Sequence, residues 1–338
     1  MTSRFVSMTN PLISVLIPCF NAGNYLREAV LSVLCQNWED LELIVVDDGS
    51  SDNSVDVLRS FDDCRLSFIK QSNAGAAAAR NRAFFQARGK FVMFLDADDW
   101  IPPTHLTALH SAVANEESCI GMAQWDRFYT KPEEARFPPR ATYRDSPGSE
   151  WLIQDWSAGG GIAGPGMFLI PRDLIERCGG WDERLSLVDD FEFHARIIAG
   201  SGGVKFAPEA RLYYRSGLSS SLSGRRSRKA AESAYLSLML GTQHLLDVEN
   251  NPRARRTCAN VLQNFEYGFY PDFPDLRAKI RRRVAELGGA DLAPSGPPGF
   301  QKLRPWVGWR AARRIQLLAE HWGINRAVRT GARRTIAR

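Results

Sequence analysis

The chain has 338 residues, 44% hydrophobic and 24% charged, which is the profile of a soluble globular protein with room for two domains or one domain with an extension. Its formal charge of +5 hides a division: residues 1–215 hold 21 Lys+Arg against 29 Asp+Glu, and residues 216–338 hold 22 against 9. No stretch approaches the roughly 18 apolar residues of a membrane span, and residues 1–11 lack the apolar run of a signal peptide.

Cys19, Cys35, Cys64, Cys119, Cys178 and Cys258 are scattered, with no Cys-x-x-Cys pair, so neither a zinc site nor a disulfide framework is indicated. Cys19 and Cys119 sit in apolar surroundings and read as small core residues. A reducing cytoplasm is the expected compartment, with peripheral contact to the inner face of the cell membrane still open.

Residues 12–17 form a short apolar run and predict a buried strand. Residues 24–36 predict a helix with Leu26, Val30, Val33 and Leu34 on one face. A strand follows at 41–46, a helix opened by Asp52 to Ser54, a strand at 66–69, an Ala-rich helix at 74–87 and a strand at 91–95. Strands alternating with helices imply an α/β fold with a mainly parallel sheet covered on both faces. Pro102 and Pro103 open a further helix, and 131–150 reads as a loop. The Gly-rich stretch 157–166 leads into a strand at 167–170, and 189–199 predicts a helix. The Ser/Gly/Arg-rich segment 216–228 marks the end of the compact part. From Lys229 the pattern is helical and basic, interrupted by a Pro/Gly linker at 290–299.

The strand at 91–95 runs into Asp96, Asp98 and Asp99. Strand alternation places Asp96 and Asp98 on one side, a donor set that suits a hard divalent cation such as Mn²⁺ or Mg²⁺. Ligands of open α/β sheets sit beyond the carboxyl ends of the strands, where such a cation can neutralise a phosphate-bearing substrate. Pro18 to Asn21 and Asp47 to Ser50 leave the first two strands at the same end, and a carboxylate there can accept from a base N–H or a ribose hydroxyl. Asn73 to Gly75 precede Arg80 and Asn81, and Asp189 and Asp190 open a helix. Each cluster also has an ordinary reading as a turn, a helix cap or a complement to a helix dipole.

Six segments in order carry a resemblance: SVLIPCFN at 14–21, VVDDGS at 45–50, NAG at 73–75 with ARN at 79–81, FLDADD at 94–99, GGWDE at 179–183 and DD at 189–190. Together they resemble the family 2 inverting glycosyltransferases of the GT-A fold over residues 12–222. The resemblance implies a catalytic domain at 1–222; the helical, Arg-rich region at 223–338 is read from its own pattern, with no resemblance behind it. It implies that Pro18, Phe20 and Asn21 line a nucleotide-base pocket and that Asp48 contacts the base, usually uracil. Asn73 and Arg80 would wall the ribose and diphosphate. Asp96 would support the ribose and metal region, Asp98 would bind the metal, and Asp190 would be the general base. The implied reaction moves a sugar from a nucleotide-sugar donor to a sugar, lipid-linked or other hydroxyl acceptor.

The chain departs from the family pattern at two places. Asp189 stands where Glu is common, and no His follows the strand at 212–215, which leaves water, Ser216 or Ser219 for the third metal contact. His194 falls one helical turn beyond Asp190 and reads first as a structural histidine. Trp151, Trp156 and Trp181 read as core residues or as platforms for an acceptor.

A nucleotidyltransferase or dinucleotide enzyme would need a Gly-rich phosphate loop after the first strand, where PCFNAG stands instead. A non-catalytic binder using the basic tail is the other alternative. Residues 303–338 hold nine arginines and one acid, Glu320. Ala311, Ile315, Leu318 and Trp322 share one helical face, with Gly308 and Gly323 interrupting the helix. Such a helix suits an anionic membrane surface or packs on the catalytic domain, and nucleic acid is not expected as a partner.

Overall fold

The computed structural model describes residues 12–161, 164–218 and 227–321, with only the backbone of 320 and 321. Its centre is a seven-stranded sheet in the order β3-β2-β1-β4-β6-β5-β7. β1 (Ile13–Cys19) and β2 (Leu41–Asp47) are continuous apolar runs, buried almost throughout because helices cover both faces. β3 (Leu66–Lys70) and β4 (Phe91–Phe94) flank them, and all four run parallel. Parallel neighbours need crossovers, supplied by α1 (Gly23–Leu34), α2 (Ser54–Arg59) and α3 (Ala76–Gln86). These elements agree with the sequence reading to within a few residues.

The other half of the sheet is mixed. β6 (Phe168–Pro171) runs antiparallel to β4 and to β5 (Ile120–Phe128), and β5 pairs in parallel with β7 (Val204–Arg215). β5 has no counterpart among the expected strands. Gly121, Gln124, Asp126 and Arg127 interrupt the apolar run that marks a buried strand. α4 (His105–Val113) begins just after the Pro pair, and α5 (Gly148–Trp156) occupies the end of the expected loop and beyond. α6 (Arg172–Cys178) and α7 (Asp189–Ala199) complete this half, the latter with the expected bounds.

The C-terminal region is helical as expected: α8 (Arg228–Val248), α9 (Pro252–Phe269), α10 (Pro274–Glu286) and α11 (Pro298–His321). Gly308 breaks α11 with φ 74°. One hydrophobic cluster runs from Ile13 through the sheet to Leu287. α8 and α9 are therefore continuous with the core around α5 and α7. Within it the buried Glu266 pairs with Arg277 at 2.9 Å and Arg281 at 3.1 Å. Cys19, Cys119 and Cys258 are buried and all six thiols are free. Trp151, Trp156 and Trp181 are all buried, so they are core residues and not exposed platforms.

One local expectation is corrected. β4 ends at Phe94, and Asp96 to Asp99 lie in a turn closed by Asp99 N–H donating to Asp96 O at 3.1 Å. The carboxylates gather by turn geometry, not by strand alternation.

Candidate active site

The site lies at the carboxyl ends of β1, β2 and β4, where their loops meet. Asn21, in the left-handed region at φ 51°, ties the first two loops together. Its Oδ1 accepts from Ser51 N–H at 2.8 Å, and its own N–H donates to Ser50 Oγ at 2.9 Å. Gly49 has φ 80°, and a Cβ there would stand 3.0 Å from Asn73 N, so only glycine fits without strain. Pro18 is half-buried and Phe20 is 50% exposed at the strand exit.

Asp48 is buried, and its carboxylate accepts four hydrogen bonds. Gln71 Nε2 at 2.7 Å and Ala74 N–H at 2.8 Å reach Oδ1, while Asn73 Nδ2 at 3.1 Å and Gly75 N–H at 2.8 Å reach Oδ2. Both carboxylate oxygens are thereby occupied by two donors each. Asp48 thus braces the loop leading into α3, a role that the motif alone did not reveal.

Arg80 is the keystone. It is buried, donates from Nη2 to Asp96 Oδ1 and from Nη1 to Asp189 Oδ2, each at 2.8 Å, and lies over the Trp181 ring at 4.2 Å. Trp181 in turn stacks on Phe193 with centroids 4.0 Å apart. Burial disfavours the guanidinium charge, but Asp189 and Asp96 outweigh it and hold its pKa above the ordinary value. One arginine therefore joins the β4 turn to the start of α7.

Asp98 and Asp99 depend on Arg215 at the end of β7. Its N–H donates to Asp99 Oδ1 at 2.9 Å, its Nε donates to Asp98 O at 2.8 Å, and its Nη2 binds Glu28. Burial first, then the Asp96 charge, pushes the Asp98 carboxyl up to about 6. Asp99 is raised well above the ordinary range by burial and by Asp98, and its Oδ2 is buried without a partner. Tyr214 is also raised, by burial and by Asp96, Asp99, Asp98 and Asp190, which places its phenol beside the cluster.

Asp190 differs from its neighbour. Asp189 is clamped by Arg80, whereas Asp190 makes no ion pair among the described residues and accepts only from Phe191 N–H at 2.9 Å. Burial, then Asp189, pushes the Asp190 carboxyl up to about 7. The preceding residue, Val188, adopts φ 62°, a conformation that a β-branched residue rarely takes. α8 holds it there. Ser233 Oγ accepts from Ser186 N–H at 2.8 Å and Leu187 N–H at 2.9 Å, and Ser237 Oγ donates to Val188 O. Gly241 adds close approach, since a Cβ there would meet the Phe191 ring at 2.5 Å. The sequence offered no sign that 233, 237 and 241 bear on the start of α7, because small residues on a helix carry no motif.

Ser237→Ala tests this support. A displaced reacting group costs up to about 10² in rate. With Asp190 as the base that the resemblance implies, the variant is expected to lose kcat while donor KM holds. An unchanged kcat, or a donor KM that moves in step, would remove Ser237 from the catalytic support.

His194 is buried in the core beside Asp190, though its Nε2 has no hydrogen-bond partner. Its Nδ1 lies 2.9 Å from Asp190 O, and it packs against Phe168, Trp181 and Phe193. Burial drives its pKa down to about 3, so it stays neutral. Ser216 Oγ is buried with no partner where a third metal contact was expected, and Ser219 lies outside the described residues.

Asp96, Asp98, Asp99, Asp189 and Asp190 thus gather around Arg80 and Arg215, and Arg215 also serves Glu28. The surplus of negative charge and the orphaned Asp99 oxygen fit a cation. Among the described residues no three His, Cys, Asp or Glu are grouped as a metal cage. Asp98 with Asp96 would supply the protein ligands, and diphosphate and water oxygens would complete the shell, as Mg²⁺-type sites commonly do.

Comparison with known proteins agrees with this geometry. Residues 14–179 match the model of glycosyl transferase family 2. The chain is 37% identical over 123 residues to the glycosyltransferase YibD of Escherichia coli, covering 36% of each chain. It is 44% identical over 97 residues to the teichuronic acid biosynthesis glycosyltransferase TuaG of Bacillus subtilis, covering 27% of this chain and 38% of that one. The alignments span 17% to 43% of the length of the first four curated relatives. Among solved structures, S. aureus TarS 1-349 in complex with UDP-GlcNAc superposes with a TM-score of 0.65 at 18% identity, over 82% of this chain and 80% of that one. The mannosyltransferase PcManGT from Pyrobaculum calidifontis, in complex with GDP-Man and Mn²⁺, gives 0.53 at 18% identity, over 94% and 88%. The ordered motifs, the sheet and the family match converge: residues 14–179 of this chain form a glycosyltransferase family 2 domain.

Proposed function

We propose that the chain transfers a sugar from a UDP-sugar to a hydroxyl acceptor, with inversion at the anomeric carbon, in the synthesis of a cell-surface polysaccharide or glycoconjugate. The observation that carries this is the unequal state of Asp189 and Asp190. The first is neutralised by Arg80. The second makes no ion pair among the described residues, and burial first and the Asp189 charge second push its carboxyl up to about 7 against a partial offset from Arg80. A carboxylate with a pKa near the working pH is suited to take a proton from an acceptor hydroxyl.

Pro18, Phe20, Asn21 and the loop braced by Asp48 form the base pocket in this reading. Asn73 and Arg80 wall the ribose and diphosphate. Asp96 and Asp98 hold a divalent cation, Mn²⁺ or Mg²⁺, which when bound neutralises charge on the departing diphosphate. Asp190 removes the acceptor proton as the oxygen attacks from the face opposite the leaving group. TarS in complex with UDP-GlcNAc and PcManGT in complex with GDP-Man and Mn²⁺ support the donor class and the cation. Residues 1–222 are the proposed catalytic unit, with 223–338 as its helical extension. No helix among the described residues is long and apolar enough to cross a membrane. We infer that the extension meets an anionic membrane surface, where a lipid-linked acceptor would lie.

A screen of nucleoside diphosphates and nucleotide sugars tests the donor reading. UDP with Mn²⁺ is expected to raise Tm, and one UDP-sugar is expected to be hydrolysed slowly without acceptor. If no nucleoside diphosphate stabilises the protein in the presence of Mn²⁺, the reading fails.

A further inference from the structure

α10 and α11 enclose a cleft of about 730 Å³. Arg277 and Arg281 line it from α10, Arg310 and Arg314 from α11, each pair one helical turn apart. Glu266 is the carboxylate bound to the first pair. Arg310 and Arg314 have no carboxylate partner among the described residues and rest on rings, Arg310 over Trp309 at 5.4 Å and Arg314 over Tyr270 at 5.7 Å. Arg277 is buried, and its Nε has no hydrogen-bond partner. Four guanidinium groups against one carboxylate leave a positive cleft whose forked N–H donors match phosphate oxygens.

The surroundings of the cleft are apolar. Val307 and Ile315 line it and are exposed. Trp306, just before the break at Gly308, is 87% exposed, and Leu318, beyond it, is 59% exposed. α11 is anchored by Trp309, edge-on to Tyr267 at 4.9 Å and Tyr270 at 5.0 Å, and by the buried Ala312. The face carrying Ile315 and Leu318 is therefore not used to pack on the catalytic core, and Trp322 lies outside the described residues. A soluble anion would satisfy the arginines but leave Trp306 and Leu318 in water. A phosphate group on a lipid satisfies both, with the headgroup in the cleft and the apolar residues at the acyl boundary.

We propose that this cleft is a binding site for the phosphate headgroup of an anionic lipid, and that α11 docks on the membrane around it. The proposal rests on the membrane reading above and adds the site. Its test is flotation of the full chain with phosphatidylcholine vesicles, with and without phosphatidylglycerol. Wild type is expected to float only with the anionic vesicles, and less as salt rises. Arg310→Ala with Arg314→Ala is expected to bind about an order of magnitude more weakly. Arg282→Ala with Lys302→Ala, removing equal charge outside the cleft, should retain binding. Trp306→Ser with Leu318→Ser should also release the protein. Slow donor hydrolysis without vesicles reports folding and should survive in every variant.

Equal flotation of the Arg310/Arg314 variant and wild type overturns the cleft and leaves the membrane reading standing, as does equal loss in the charge-matched control. A wild type that stays in solution overturns both. Inorganic pyrophosphate that, without divalent cation, raises the Tm of wild type but not of the Arg310/Arg314 variant, with no flotation, identifies a soluble-anion site in the cleft and overturns the lipid assignment.

Discussion

Asp190→Asn is expected to lower kcat by about 10²–10⁴-fold while UDP affinity in the presence of Mn²⁺ is retained. The amide is nearly isosteric, and its oxygen can still accept from Phe191 N–H, so the start of α7 should keep its form. Only the capacity to take a proton is lost. The wild-type pH profile follows from the same carboxyl. Burial and Asp189 push it up to about 7, and a base works only when ionised, so kcat/KM should rise as pH rises through that region. The rise should vanish in the variant. Asp189 cannot take over without giving up Arg80, which holds it at 2.8 Å. Wild-type turnover in Asp190→Asn, or a larger loss in Asp189→Asn, would move the base to the neighbouring residue.

The donor half of the fold was legible because parallel strands buried on both faces must be continuous apolar runs, and β1, β2 and β4 are. β5 escaped because Asp126 and Arg127 break such a run. Asp96, Asp98 and Asp190 could be picked out because clustered carboxylates just beyond a strand or at a helix start stand out in the sequence. Their supports could not. Arg215 binds Asp99 across 116 positions of sequence, and Ser237 reaches Val188 across 49. Long-range polar contacts of this kind leave no spacing to read. Asp48 shows the opposite limit: the motif located the residue, but its four hydrogen bonds to the 71–75 loop became visible only with the chain folded. The tail was legible as helical, interrupted at Gly308, while its four-arginine cleft required α10 and α11 to be brought together.

Asp98→Asn should produce two opposite effects in one protein. Without ligand, the wild-type carboxyl is raised from its ordinary 3.8 to about 6, by burial first and by the Asp96 charge second. The folded chain therefore keeps a proton that the unfolded chain has already released. Stability contributed by this group is complete below about pH 4 and is lost as pH rises through about 6. An amide carries no charge, so the variant should melt higher than wild type at pH 8, and the difference should shrink towards acid pH. Adding Mn²⁺ and UDP should reverse the order. Wild type is expected to gain stability by binding, whereas the variant, short of the proposed metal ligand, should gain little. Transfer should be nearly abolished. The contrast separates a functional carboxylate from a structural one, since removing a structural carboxylate would lower Tm with and without ligand. Melting curves of both proteins at pH 5 and pH 8, with and without Mn²⁺ and UDP, decide the matter. Equal stabilisation of both by Mn²⁺ and UDP would take Asp98 out of the metal site, and a lower Tm of the variant at pH 8 would show that its carboxylate holds the turn together.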